Sequence, residues 1–154
     1  METVDSLEIE APAEQLFDIL LDYPKMREWY PPYRIDVVGG GPVREGVQLS
    51  HELSPPGFPI KSRFTRTIQR IDRPRSIEET YDGGDLVGHG TWEFEQLGPD
   101  RTRVSFRCRV RSNRMLMHIG FLFGGESGHN KIYQQILASL RDKVCGSAEA
   151  VGAS

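Results

Sequence analysis

The chain has 154 residues and a formal net charge of −3 at pH 7, which suits one domain with its own core and gives no overall attraction to nucleic acid. No apolar run approaches the roughly 20 residues of a membrane span, and the acidic N-terminus lacks a signal-peptide pattern. Cys108 and Cys145 form neither a metal motif nor a disulfide framework. We therefore expect a reduced, cytoplasmic protein without stable membrane insertion.

The first part of the chain predicts one strand and two short helices. Polar and apolar residues alternate over residues 4–10, which is typical of a strand. Pro12 suits the first turn of a helix, and a second short helix opens at Pro24 and ends at Pro31. The buried side of the first helix is expected to carry Leu16, Phe17, Ile19 and Leu20.

Six further strands are predicted between residues 34 and 111. Their expected bounds are 34–38, 47–53, 61–71, 76–81, 86–97 and 102–111. Short breaks rich in Gly, Pro and Asp separate them. Because consecutive strands joined by tight turns run in opposite directions, the six strands form an antiparallel meander.

An amphipathic helix is predicted over residues 127–144, with Ser127 as N-cap and Gly146 as its stop. One apolar helix after a long sheet must be wrapped by that sheet, because neither can leave its apolar face in water. The order predicts an α+β fold in which a curved seven-stranded antiparallel sheet surrounds a long C-terminal helix. We expect one domain over residues 1–146 and a flexible tail over 147–154.

Three segments, together with this order of elements, resemble the START-like superfamily, also called Bet v 1-like, SRPBCC or polyketide cyclase/dehydrase-like. The segments are DYPKMREWYPPY, GHGTWEFEQLGPDRTRVSF and HNKIYQQILASL. The resemblance covers about the whole chain and implies the helix-grip fold. It also implies binding of a lipid, sterol, quinone or polyketide, and some members catalyse cyclisation or dehydration. The chain matches no catalytic set of that superfamily, so no catalytic role is transferred.

Period-two alternation sorts the last two strands into inner and outer faces. The inner faces are expected to carry Leu86, Gly88, Gly90, Trp92, Phe94, Val104, Phe106, Cys108 and Val110. Gly88 and Gly90 remove side chains, which either opens space or lets the strand bend. From this we expect the ring of Trp92 to have room beside it rather than a packed neighbour.

Two charged residues share the inner phase of neighbouring strands. Arg66 alternates with Ile68, and Glu79 alternates with Ile77 and Tyr81. A carboxylate inside an apolar interior is unfavourable unless it is paired, so we expect a pair that could act as ligand anchor, acid or base. The alternative is that a bulge turns Glu79 to solvent.

The histidines give weaker indications. His51 is in phase with apolar neighbours, so it is either a hydrogen-bonded core residue or a functional one. His129, in the first turn of the long helix, could reach a ligand at a cavity mouth or cap the core. His89 is expected to face solvent. No two histidines share helical ligand spacing and neither cysteine is near one, so we expect no zinc site.

A row of arginines occupies the outer phase of strand 102–111. It consists of Arg101, Arg103, Arg107, Arg109 and Arg111. Glu93 and Glu95 occupy the matching face of the preceding strand. A cross-strand ladder of opposite charges explains the row without a nucleic-acid partner.

The leading functional hypothesis is a carrier or sensor that binds a small hydrophobic molecule in an internal cavity. Its ligand-binding candidates are Trp29, Tyr33, His51, Arg66, Glu79, Tyr81, Trp92, Phe94, His129 and Tyr133. The alternative is an enzyme of the polyketide cyclase or dehydratase kind, with Glu79, His51 and Arg66 as catalytic candidates. A third is an interaction protein with a filled interior. None implies a cofactor, and the oligomeric state is left open.

Overall fold

This computed structural model describes residues 2–54, 59, 61–84, 86–112 and 125–152, with backbone alone at 83, 84, 86, 111, 112, 125–130 and 147–152. The strands are β1 (Glu2–Ile9), β2 (Tyr33–Val37), β3 (Gln48–Leu53), β4 (Ser62–Asp72), β5 (Ser76–Gly84), β6 (Leu86–Gly98) and β7 (Arg101–Ser112). The helices are α1 (Ala13–Leu21), a 3-10 turn (Tyr23–Lys25), α2 (Met26–Trp29) and α3 (Gly125–Gly152). No helix in these ranges is long and apolar enough to cross a membrane.

All seven strands form one antiparallel sheet in the order β1-β7-β6-β5-β4-β3-β2. The sheet curls into a half-barrel with a long C-terminal helix, which confirms the predicted helix-grip fold. The meander from β2 to β7 has its predicted order, and β1 lies beside β7 at the sheet edge. One face of the curled sheet is thereby turned towards α3.

The apolar side of α3 is buried as its spacing predicts. The buried residues are Tyr133, Ile136, Leu137, Leu140 and Val144. The helix continues past Gly146, where the sequence predicted its end, to Gly152. Gly146 is exposed, and one glycine within a helix costs only about 1 kcal/mol relative to alanine. The following Ala148, Glu149 and Ala150 favour a helix, so Gly146 alone does not end it.

Two polar contacts, neither of them predicted, attach α3 to its surroundings. Gln134 Nε2 donates to Asp5 Oδ1 of β1 at 3.2 Å, and the Tyr30 hydroxyl donates to Gln135 Oε1 at 3.0 Å. Asp5 is buried on the inner face of β1, and burial raises the pKa of its carboxyl. These contacts fix the helix at edge strand β1 and next to α2.

A bulge in β4 determines which of its residues face inward. Gln69 has no opposed residue on β5. On the side of Gln69 away from the turn, Ile68 lies opposite Glu79 and Arg66 lies opposite Tyr81. Directly opposed residues share a face, so moving one strand by a residue changes which side chains meet. The alternative that a bulge turns Glu79 to solvent is wrong, because this bulge aligns Glu79 with Arg66 on the inner face.

The outer face of β6 and β7 carries the predicted charge ladder. Arg103 pairs with Glu95 at 3.1 Å, and Arg107 pairs with Glu93 at 3.3 Å. The ladder also extends to β1, where Arg103 contacts Glu8 at 3.1 Å. These side chains are substantially exposed, so each pair contributes about 0–1 kcal/mol.

We predict that Leu140→Ala destabilises the protein by about 2–5 kcal/mol, because the substitution leaves a cavity under a fully buried side chain. Urea unfolding measures the change. The neighbouring Arg141 is exposed, and Arg141→Ala is the control, with an expected change within about 0.5 kcal/mol. Equal effects of the two substitutions would show that α3 does not bury this face.

Candidate functional site

A buried ion pair lies on the inner face of the sheet. Arg66 of β4 and Glu79 of β5 have side chains that are 1% and 0% exposed, and Arg66 Nη1 lies 2.7 Å from Glu79 Oε2. The hairpin between β4 and β5 and its bulge bring the two side chains together. The pair that strand phase predicted is therefore present, and it is fully removed from water.

Three tyrosines from different elements complete the surroundings of the pair. Tyr23 donates its hydroxyl hydrogen to Glu79 Oε1. Arg66 Nη2 donates to the hydroxyl oxygens of Tyr81 at 2.5 Å and Tyr133 at 2.7 Å. The cluster thus joins β4, β5, α3 and the 3-10 turn. Both oxygens of the Glu79 carboxylate have a donor, one from Tyr23 and one from Arg66.

Sequence reasoning missed Tyr23 as a site residue. A signal was available: Leu16, Leu20 and Tyr23 continue one helical stripe at spacings of four and three residues. The chain leaves α1 at Asp22, and the 3-10 turn carries that stripe one turn further. Tyr23 therefore lies on the same buried side as Leu16 and Leu20 of α1.

Aromatic rings surround the guanidinium of Arg66. Its central carbon lies 4.4 Å from the ring centroid of Tyr81, 5.2 Å from that of Phe64 and 5.4 Å from that of Phe106. Such contacts stabilise a desolvated cation. Burial alone would lower the pKa of Arg66, but the hydroxyls of Tyr133, Tyr33 and Tyr81 and the carboxylate of Glu79 outweigh it and hold the pKa above its ordinary value.

His51 forms a second polar pair next to the first. Its Nδ1 lies 2.7 Å from the hydroxyl oxygen of Tyr33, and its ring stacks on Phe64 with centroids 4.8 Å apart. Burial, and then the charge of Arg66, hold the pKa of His51 well below its ordinary value. Burial also raises the pKa of Tyr33. The imidazole and the phenol are therefore both neutral at pH 7.

The expectation that Trp92 has room beside its ring is wrong. Its ring packs on Phe106 with centroids 4.6 Å apart and lies 6.0 Å from Tyr133. The space left by Gly90 is taken by Phe106, since a Cβ at position 90 would lie 2.9 Å from Phe106 Cζ. At Gly88, whose φ is +143°, a Cβ would collide with the backbone of Arg109. The interpretation that these glycines open space is therefore wrong, because neighbouring atoms lie where their side chains would be.

The structure brings together most, but not all, of the candidate residues. Those around the ion pair are Tyr33, His51, Arg66, Glu79, Tyr81, Trp92 and Tyr133. Phe94 lies elsewhere, packed edge-on against Phe17 of α1 at 5.2 Å. Trp29 is half-buried in α2, and the side chain of His129 lies outside the described residues. His89 is exposed, as predicted.

The cluster can bind or polarise a ligand through hydrogen bonds and through neutral acid and base groups. Buried polar atoms without a partner include Arg66 Nε, His51 Nε2 and Trp92 Nε1. Within the described ranges, no three His, Cys, Asp or Glu residues gather as metal ligands would. Cys108, 3.6 Å from the Tyr81 hydroxyl, is buried, and burial raises the pKa of its thiol.

Residues 2–144 match the sequence profile of a family described as polyketide cyclase/dehydrase and lipid transport. The match extends from the start of β1 to Val144, which is buried in α3. No protein of curated function is significantly similar to the chain.

Solved structures share the fold across nearly their whole length. A protein of Thermus thermophilus is 18% identical with a TM-score of 0.78, covering 96% of this chain and 99% of that one. A START superfamily protein from Mycobacterium smegmatis is 16% identical with a TM-score of 0.74, covering 93% and 96%. Norcoclaurine synthase from Thalictrum flavum, in complex with dopamine and hydroxybenzaldehyde, is 12% identical with a TM-score of 0.67, covering 95% and 87%. At these identities the likeness shows the fold alone.

We predict strong energetic coupling between Arg66 and Glu79. Arg66→Met and Glu79→Leu should each destabilise by about 3–5 kcal/mol, because each leaves a buried charge unpaired. The double variant should recover most of that loss, since well-packed apolar residues replace such a pair at little cost. Urea unfolding of all four proteins gives the coupling energy. The exposed pair Arg107 and Glu93 is the matched control, with an expected coupling of about 0–1 kcal/mol.

We predict that His51 makes stability depend on pH below about 6.5, the ordinary pKa of histidine. There the unfolded chain takes up a proton at His51, while the folded chain, with its lowered pKa, does not. Unfolding then becomes easier as pH falls, by up to about 1.4 kcal/mol per pH unit, until the folded pKa is reached.

Urea unfolding at a series of pH values, comparing the wild type with His51→Gln, measures this contribution. The variant should lose part of the acid sensitivity, whereas His89→Gln, at an exposed position, should keep all of it. Identical pH profiles for the wild type and His51→Gln would show that His51 titrates normally in the folded protein.

Proposed function

Since the chain belongs to the polyketide cyclase/dehydrase and lipid transport family, whose fold binds hydrophobic ligands, we propose that it carries or senses a small hydrophobic molecule. The ligand would bind between α3 and the inner face of the sheet. The observation that carries the proposal is the fully buried Arg66–Glu79 pair among aromatic rings.

The ion pair supports a functional role because a buried ion pair contributes little to the stability of a fold compared with apolar residues. Moving two charges out of water is costly, and apolar residues of similar volume would pack as stably. Tyr23 and Tyr133, on either side of the pair, use their buried hydroxyls for hydrogen bonds to Glu79 and Arg66. A polar cluster in an otherwise aromatic interior suits one task in particular, which is to orient a mostly apolar ligand by its polar group.

The aromatic side chains supply the matching apolar surface. Phe106 stacks on Tyr133 with centroids 4.2 Å apart, and Trp92 and Phe64 flank this region from β6 and β4. Flat rings of this kind favour a ring-containing ligand over a flexible chain. Norcoclaurine synthase, which shares the fold, was solved with two small aromatic molecules, and this supports the use of aromatic probes.

One observation favours an enzyme of the cyclase or dehydratase kind as second candidate. The neutral His51 and the Tyr33 hydroxyl, 2.7 Å apart, place a group that can accept a proton beside one that can donate it in a buried site. Glu79 is less suited to proton transfer, because Arg66 and Tyr23 already occupy its two oxygens. His51 is therefore the stronger catalytic candidate of the two.

We predict that the purified protein binds a hydrophobic fluorophore whose emission changes on binding, and that lipids or ring compounds displace it. Trp92→Ala should weaken this binding at least several-fold, because it removes a buried ring of the aromatic surface. His89→Ala, on the exposed face of the same strand, is the matched control and should bind normally. Native mass spectrometry would identify any ligand that co-purifies.

Two results would contradict the proposal or change its form. Absence of binding to every probe, in a protein with normal unfolding behaviour, would favour an interaction protein with a filled interior. Conversion of a bound ligand that is lost in His51→Gln, with binding retained, would favour the enzyme over the carrier.

A further inference from the structure

Residues 24–32, here called the strap, run between two anchored tyrosines. Before the strap, Tyr23 donates its hydroxyl hydrogen to Glu79 Oε1 of β5. After it, the hydroxyl oxygen of Tyr33 lies 2.7 Å from Nδ1 of His51 on β3. Both tyrosine side chains are buried. The sheet therefore holds the two ends of the strap, and its middle can move without disturbing them.

The middle of the strap rests on α3. The Tyr30 hydroxyl donates to Gln135 Oε1 at 3.0 Å, and burial raises the pKa of Tyr30 to about 12, so the hydroxyl keeps its hydrogen at neutral pH. This bond is only partly buried, whereas those of Tyr23 and Tyr33 are fully buried. Water can compete for a partly buried hydrogen bond, so this attachment is the weakest of the three.

Backbone hydrogen bonds within the strap and at its ends keep it in one piece. They join Lys25 N to Asp22 O at 3.0 Å, Tyr30 N to Met26 O at 2.7 Å and Tyr33 N to Tyr30 O at 3.1 Å. All three bonds are local and remain intact when the strap moves as a unit. A swing of the strap therefore breaks few hydrogen bonds other than the one to Gln135.

The closed position of the strap leaves one polar group unsatisfied. Trp29 is half-buried, and its Nε1 is buried with no partner among the described residues. This nitrogen can only donate, and a buried donor without an acceptor is destabilising. Neither the 3-10 turn nor α2 has a side-chain cap at its start. An outward movement would return the indole nitrogen to water, which favours opening.

The buried polar cluster lies directly behind the strap. The ring of Tyr23 is 6.5 Å from that of His51, and its hydroxyl binds the carboxylate of Glu79 that pairs with Arg66. His51 is 1% exposed. The strap and its two anchors therefore separate these groups from solvent on the side of α2.

We propose that the strap is a moving cover that opens the interior between α2 and α3, with the bond from Tyr30 to Gln135 as its release point. Tyr23 and Tyr33 stay in place and act as pivots. This goes beyond the proposed function, because it assigns the route by which a molecule reaches the interior, whichever molecule that is.

Labelling of His51 with diethyl pyrocarbonate measures this opening without any ligand. The reagent acylates neutral imidazoles, and Nε2 of His51 is buried and without a partner in the described part of the chain. His89 is exposed and serves as the reference for the reagent within the same protein. Mass spectrometry of the digested protein gives the labelling rates of the two histidines separately.

Tyr30→Phe removes the hydroxyl at the release point, so it should speed the labelling of His51 about three- to tenfold, the effect of one hydrogen bond. Gln135→Ala removes the acceptor and should have the same effect, which keeps the test available if Tyr30→Phe does not fold. Gln134→Ala is the matched control, because the neighbouring glutamine bonds Asp5 of β1 instead. It should leave the labelling rate of His51 unchanged.

A series of low urea concentrations separates opening of the strap from global unfolding. Opening exposes little surface, so the labelling rate of His51 should depend weakly on urea, whereas access through global unfolding would make it rise steeply. A steep rise in the wild type, or unchanged labelling in both Tyr30→Phe and Gln135→Ala, would overturn the proposal. Either result leaves the proposed function standing, since that depends on binding of the hydrophobic fluorophore.

Discussion

The interior of this protein depends on holding Arg66 and Glu79 against each other without water. Neither charge is tolerable there alone, so the hydrogen bonds of Tyr23, Tyr81 and Tyr133 are needed as well. These partners come from the start of the chain, the middle of the sheet and the last helix. The polar cluster therefore links segments that are far apart in sequence and requires all of them to be in place.

The fold could be predicted because its signals are local and periodic. Alternation indicated the strands and their inner faces, Gly and Pro marked the turns, and helical spacing marked the buried side of α3. The same periodicity put Arg66, Glu79, His51 and Tyr81 inside. A period of two indicates which face of the strand a side chain occupies. This was sufficient to predict the residues at the centre of the site.

Two of the wrong or missing expectations depend on packing between distant segments. The neighbour of Trp92 is Phe106, which enters the space above Gly90 from the adjacent strand, and no pattern within β6 indicates this. The contact of Tyr23 with Glu79 depends on the direction that the chain takes after α1, which brings the 3-10 turn close to β5. The end of α3 differs from its prediction for a local reason, because the helix-forming residues after Gly146 outweigh the effect of one glycine.

Because of the bulge at Gln69, the ion pair depends on the number of residues between Arg66 and Glu79 as well as on the identity of the two residues. Thirteen positions separate Arg66 from Glu79, whereas opposed residues next to the turn, such as Ile71 and Ile77, are an even number apart. A homologue with one residue fewer in this interval could retain the arginine and the glutamate and yet hold them on opposite faces of the sheet. In comparisons among homologues, the length of this hairpin is therefore as informative about the ion pair as the identity of its two residues.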